Sequence, residues 1–160
     1  EMQRSLVGSE MCIRDRDVQH FAITGSTTAV LAVIWASLPL IATIANIMLA
    51  NNICDLEQDI TNHRYTLPFY LGKRNAVILF NILMYSSYIA IVIGWIAGIY
   101  QWPILLTFLS LVRVYPQTKA FTKEQIKRKT FIFSIKNLVA FNSCYAIGLA
   151  ATILLQIFIG

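Results

Sequence analysis

The fold is decided by AVLAVIWASLPLIATIANIMLANNICDLEQD, residues 29–59. Its first part, 29–50, carries no charge and exceeds the ~20 residues an α-helix needs to cross the hydrocarbon of a bilayer. The second part opens on Asn51 and Asn52 and then supplies Asp55, Glu57 and Asp59. A helix carried through this junction stacks Asn51, Asp55 and Asp59 at i, i+4 and i+8 on one face, with Asn52 beside them. Ionised carboxylates beside hydrocarbon are costly, about 2.5–3.5 kcal/mol each at the centre of a membrane helix, so such a cluster reads as a functional site. Two carboxylates and two amides in one column exceed what capping a helix requires, whereas Glu57 falls off that face and reads as solvated. Hard oxygen ligands of this kind suit Mg²⁺, which keeps several waters and shares its shell with phosphate oxygens. Arg64, Lys73 and Arg74 follow, cations suited to holding phosphate or, as plainly, to anchoring topology. The residues thus point to a metal–diphosphate site at a membrane surface.

Working outward, the composition agrees with a membrane setting. The 160 residues are 57% hydrophobic and 13% charged, with a mean hydropathy of +0.62, far too apolar for an ordinary soluble domain. The net charge of +5 comes from basic residues gathered in two connections, the distribution of an orientation signal and not of a nucleic-acid-binding face. The cysteines Cys12, Cys54 and Cys144 are scattered and form no CxxC pair, which excludes a disulfide framework or a zinc site as an organising feature.

At the N-terminus, residues 5–16, SLVGSEMCIRDR, resemble the conceptual translation of a transposase mosaic-end adapter used in sequencing libraries. Residues 1–16 are therefore read as non-native and set aside, leaving 17–160 as part of one transmembrane domain whose natural chain begins further upstream.

Four hydrophobic segments follow: 29–50, 76–99, the shorter 104–115, and 130–159. Pro39 is expected to kink the first, and Asn46, one turn before the acidic residues, faces either the same cavity or a neighbouring helix. The expected fold is all-α, a polytopic transmembrane bundle of about four spans. Residues 113–129 read as a polar loop with a short amphipathic helix. The connections 51–75 and 113–129 carry the cations and the turn 100–103 carries none, so the positive-inside rule puts the acidic motif on the cytoplasmic side. Trp95, Tyr100 and Trp102 then form an aromatic belt at the opposite interface.

The motif NNxxDxxxDxxxxRxTLPxxLG, carried by Asn51, Asn52, Asp55, Asp59, Arg64, Thr66, Leu67, Leu71 and Gly72, resembles the second aspartate-rich motif of the UbiA-type intramembrane aromatic prenyltransferases. It is most similar to the 1,4-dihydroxy-2-naphthoate polyprenyltransferase branch of menaquinone biosynthesis, and the likeness continues more weakly through Ser134, Ile135, Lys136, Asn137 and Asn142. Three positions depart from that branch: Cys54 where Arg is frequent, His63 where Gly is usual, and Pro68 where a small aliphatic is common.

The resemblance implies nine transmembrane helices with two cytoplasmic aspartate motifs, of which this chain holds the last four helices and the second motif, so residues 17–160 alone are expected to be inactive. It implies transfer of a polyprenyl group from polyprenyl diphosphate to 1,4-dihydroxy-2-naphthoate in a bacterial plasma membrane. Asp55 and Asp59 would ligate Mg²⁺, Asn51 and Asn52 would orient water or diphosphate, and Arg64 and Lys73 would contact the diphosphate. Lys136 would either bind the acceptor carboxylate or snorkel to the headgroups. Two alternatives stay open: another aromatic acceptor, such as 4-hydroxybenzoate or homogentisate, or a non-enzymatic transporter fragment whose acidic cluster binds a cation.

Overall fold

The structure, a computed structural model, describes residues 27–159. The adapter-like residues 1–16, Cys12 and the polar residues 24–26 lie outside them. The chain divides between Leu31 and Ala32. Of the N-terminal unit residues 27–31 are described, and they are helical. Every contact and site described below lies in the unit from Ala32 onward.

No strand occurs among the described residues, and the chain forms the expected all-α polytopic bundle. Its elements are α1 (Thr27–Cys54), α2 (Leu56–Thr61), α3 (Leu67–Leu71), α4 (Lys73–Ile96), a 3-10 segment (Trp102–Ser110), α5 (Leu111–Lys123) and α6 (Phe131–Ile159). Three of these stretches, Thr27–Cys54, Lys73–Ile96 and Phe131–Leu155, are long and apolar enough to cross a membrane.

Each long helix is apolar all round, so what separates its faces is side-chain size and polarity. On α1 the buried stripe is Pro39, Thr43, Asn46, Leu49, Ala50 and Ile53, a helical spacing that carries the small and polar groups inward. Val33, Ile34, Ile41, Ile44 and Met48 stay exposed, which suits lipid, because lipid removes any drive to bury them and inward packing selects small or hydrogen-bonding residues instead. Two cores result. One gathers Leu49, Ala50, Ile53, Ala76, Val77, Phe80 and Phe121 at the end bearing the acidic motif. The other gathers Met84, Tyr88, Ile91, Tyr100, Ile104, Val114, Phe141 and Tyr145.

The segment boundaries differ from the sequence reading for local reasons. The second helix runs Lys73–Ile96 and not 76–99. Its C-terminus is closed by a Schellman motif in which Ile99 N–H donates to the Gly94 carbonyl at 2.9 Å and Gly98 N–H to the Trp95 carbonyl at 3.1 Å, with Gly98 at φ 75°, where a side chain would be strained. The third segment is no single α-helix over 104–115. Pro103 opens a tight 3-10 run that passes directly into α5, and helix continues to Lys123. The cationic stretch is helical that far because it is amphipathic: Val114, Thr118 and Phe121 are buried at i, i+4 and i+7, while Arg113, Lys119 and Lys123 are exposed. Only residues 124–130 remain as the connection to α6.

Tyr100 leaves the expected aromatic belt. Trp95 and Trp102 are exposed, but Tyr100 is buried, with its hydroxyl 3.0 Å from that of Tyr145. Tyr145 in turn donates to the Ala36 carbonyl at 2.8 Å, so Tyr100 is the donor of the pair. A buried phenol needs such a partner, and the turn places Tyr100 where it finds one. Trp35 adds a further tie between α1 and α4, donating Nε1–H to the Ala90 carbonyl at 3.0 Å.

Candidate functional site

The first helix does not run through the acidic residues unbroken. Asp55 sits between α1 and α2 with φ −96° and ψ 4°, in the sparsely populated bridge region where many site residues lie. The i→i−4 ladder nevertheless persists across it: Asp55 N–H donates to Asn51 O at 3.0 Å and Asp59 N–H to Asp55 O at 2.8 Å. The column expected for Asn51, Asp55 and Asp59 therefore survives a local change of backbone.

After Thr61 the chain reverses through a second Schellman motif, with Arg64 N–H on Asp59 O at 2.8 Å and His63 N–H on Ile60 O at 3.1 Å. The left-handed residue here is His63, at φ 54°. A side chain in that conformation costs about 1–2 kcal/mol, so glycine would be favoured here over histidine. His63→Gly is expected to raise the unfolding free energy by about 0.5–1 kcal/mol, the released strain partly offset by a freer unfolded chain. A thermal melt of the protein in detergent checks it, and a fall in Tm would refute the argument. His63 is exposed and makes the turn, as a loop residue would.

Asn51 and Asp55 are half-buried, and both meet one cation. Lys127 Nζ donates to Asn51 Oδ1 and to Asp55 Oδ2. Asp59 is buried, 6% exposed, with Arg64 Nη1 3.9 Å from its Oδ1. The Arg64 side chain is itself 73% exposed, so this long contact is weak and leaves the guanidinium able to turn to another anion at small cost. Each carboxylate thus has its own cation. Asn52 is half-buried next to Asn51, and Glu57 is exposed.

The donor set is all oxygen: two carboxylates and the amides of Asn51 and Asn52. That chemistry fits Mg²⁺. Among the described residues no group of three His, Cys, Asp or Glu side chains gathers around one point, so these ligands would hold the ion only together with water and phosphate oxygens.

The remaining candidates lie elsewhere. Lys73 is exposed on the first turn of α4 and lines a groove of about 550 Å³ with Arg74, Asn81, Thr122 and Gln125. Lys136 is exposed and lines a separate 740 Å³ groove with Arg113, Gln117 and Ser143. Neither is ion-paired to Asp55 or Asp59 among the described residues. Asn137 is buried and donates to Thr118 Oγ1 at 3.0 Å, which ties α6 to α5, and Asn142 meets Thr43 at 3.2 Å. Asn46 is buried with its Oδ1 unpartnered among the described residues. Cys54 and Cys144 are free thiols, half-buried.

Residues 19–142 match the UbiA prenyltransferase family. The chain belongs to that family. Neither a curated protein nor a solved structure matches it. Family membership and the three apolar helices make it an integral membrane protein.

Sequence reasoning passed over one member of the cluster. Lys127 reads in the sequence as one of several loop cations that set orientation. It lies 72 residues from Asp55 and 76 from Asn51, beyond any local periodicity. The available signal was the distribution of charge: the loop cations put 51–75 and 113–129 on one membrane face, so Lys127 is already expected on the side of the acidic motif.

Proposed function

We propose that this protein transfers a polyprenyl group from polyprenyl diphosphate to an aromatic acceptor, with 1,4-dihydroxy-2-naphthoate of menaquinone biosynthesis as that acceptor. The observation that carries the reading is the column of Asn51, Asp55 and Asp59 at the membrane end of α1, with Lys127 and Arg64 beside it. Asp55 and Asp59 would hold Mg²⁺, and Asn51 and Asn52 would orient water or a diphosphate oxygen. The enzymes the motif resembles carry a second acidic motif for the same ion. Bound Mg²⁺ supplies Lewis-acid stabilisation of the charge that develops as the diphosphate leaves. Arg64 adds a cationic hydrogen-bond donor at the same oxygens, with Lys73 at the edge, and such fixed charges act most strongly where water is excluded. The apolar faces of the bundle enclose the isoprenoid tail and keep water from the allylic cation. The site opens on the cytoplasmic side of a bacterial plasma membrane, a reading supported by the cations of 51–75 and 113–129. The dihydroxynaphthoate assignment rests on the paired Asn51–Asn52 and on the Arg64–Thr66–Leu67 sequence, and Lys136 is the candidate for the acceptor carboxylate.

The test is a panel. The natural protein that carries residues 17–160, reconstituted in liposomes with a polyprenyl diphosphate and Mg²⁺, is offered 1,4-dihydroxy-2-naphthoate, 4-hydroxybenzoate and homogentisate in turn. Prenylated naphthoate as the main product is expected, with the activity lost on chelation and restored by Mg²⁺. Preference for another ring would replace the acceptor assignment alone, and absence of prenylated product with every ring would sink the enzymatic reading.

A further inference from the structure

The proposed chemistry uses Asp55 and Asn51 as ligands, yet in the structure a lysine already holds both. Lys127 Nζ lies on Asn51 Oδ1 and Asp55 Oδ2, the oxygens a divalent ion would need. Its placement is built. The loop 124–130 is stapled by Thr130, which is buried, accepts the Ile126 N–H at 2.8 Å through Oγ1 and returns a hydrogen bond to the Ile126 carbonyl at 3.2 Å. Lys129 Nζ meets Glu124 Oε2 at 3.3 Å across the same loop. Between them, Lys127 projects over the Phe131 ring, 5.2 Å from its centroid, a cation–π contact that helps aim the ammonium. The side chain stays 43% exposed, so the ammonium can leave its partners without the loop unfolding.

Charge decides what this arrangement does. An ammonium and a metal ion cannot share the same two oxygens, and a divalent ion arriving alone meets Asn51 and Asp55 already held by Lys127. A diphosphate changes the balance, because it brings several negative oxygens on which the displaced ammonium can make charge-assisted hydrogen bonds.

We propose that Lys127 is a positioning and diphosphate-binding lysine that guards the metal ligands: it occupies Asn51 and Asp55 until metal and diphosphate arrive together, and then transfers its ammonium to the diphosphate. The inference rests on the reading of Asp55 as a metal ligand. Its consequence is a coupling between two ligands, and such coupling is reciprocal. Metal tightens diphosphate, diphosphate tightens metal, and Lys127 is the element both of them bias.

The experiment measures binding, not turnover. Mn²⁺ is titrated into the reconstituted full chain and followed by the loss of its free-ion EPR signal, with and without inorganic pyrophosphate, in the parent protein and in Lys127→Met, Lys127→Arg and Lys129→Met. Lys127→Met is expected to bind Mn²⁺ alone about tenfold more tightly, about 1.4 kcal/mol, and to lose most of the tightening that pyrophosphate gives the parent. Lys127→Arg should restore the tightening, because a guanidinium is an equally good anion partner. Lys129→Met, which removes the same charge from the same loop, should leave both affinities unchanged. If Lys127→Met leaves Mn²⁺ affinity unchanged or weakens it, or if Lys129→Met behaves like Lys127→Met, the guarding role is overturned. Asp55→Asn separates the two readings: should it leave Mn²⁺ binding intact, the metal site itself fails, whereas loss of binding in Asp55→Asn with no change in Lys127→Met removes only the lysine's role.

Discussion

Asp55→Asn is expected to lower the rate of prenyl transfer about a thousandfold, roughly 4 kcal/mol of lost transition-state stabilisation at about 1.4 kcal/mol per factor of ten. The substitution keeps the shape of the side chain and an oxygen able to accept from Lys127 Nζ, so the contact between 124–130 and α1 need not break. What it removes is the negative charge. A neutral amide is a far poorer ligand for a hard divalent ion than a carboxylate, and the charge on the leaving diphosphate then develops against a weaker field. The natural comparison is Glu57→Gln, which deletes the same charge two residues away on an exposed position and is expected to leave the rate within a factor of about two, as surface changes away from special features do. Steady-state rates of the two variants at saturating substrates, in the reconstituted full chain, decide the matter. Equal losses would mean that net charge at the membrane face, and not a ligand at Asp55, supports the activity.

The second large effect lies at the far end of the bundle and concerns stability. Gly94→Val is expected to lower the unfolding free energy by about 1–3 kcal/mol, the usual cost of forcing extra carbons into a packed interior. A Cβ at this position would overlap the Tyr100 ring and stand 2.8 Å from Trp35 Nε1. Both neighbours are already committed, Trp35 to the Ala90 carbonyl and Tyr100 to Tyr145, so neither can move without giving up a hydrogen bond. The Gly94 carbonyl also receives the Ile99 N–H of the turn that ends α4. Thermal unfolding in detergent measures the loss. A Gly98→Ala variant tests the turn separately, because nothing lies within 4 Å of a Cβ there and any destabilisation must come from the positive φ. Should Gly94→Val melt with the parent, the close packing of α1, α4 and Tyr100 would be refuted.

Much of this was legible in the residues alone. An uncharged run longer than a membrane is thick can only be a helix in lipid, because every backbone polar group must find its partner within the segment. The i, i+4, i+8 spacing of Asn51, Asp55 and Asp59 is likewise a local property, and the helical ladder through Asp55 preserves it. Boundaries were less legible where a turn or a second face decided them. The Schellman motif ended the second helix three residues earlier than expected, and the amphipathic face of Val114, Thr118 and Phe121 lengthened the helix before the last loop. Tyr100 read as an interfacial aromatic because its composition and position allowed it, and only the approach of Tyr145 from α6 showed that its hydroxyl had a buried partner.

The same division runs through the site. The sequence by itself determined the membrane-spanning helices and the alignment of Asn51, Asp55 and Asp59 across the junction of α1 and α2, since each follows from periodicity within a few turns. The tertiary structure decided which cation stands against which carboxylate: Lys127 on Asn51 and Asp55, Arg64 beside the buried Asp59, and Lys73 and Lys136 on other grooves. The physical reason is that a loop lysine can reach many points on a membrane face. Which one it meets depends on how α5 and α6 pack and on the turn that Thr130 closes, and neither is encoded in the spacing of charges along the chain.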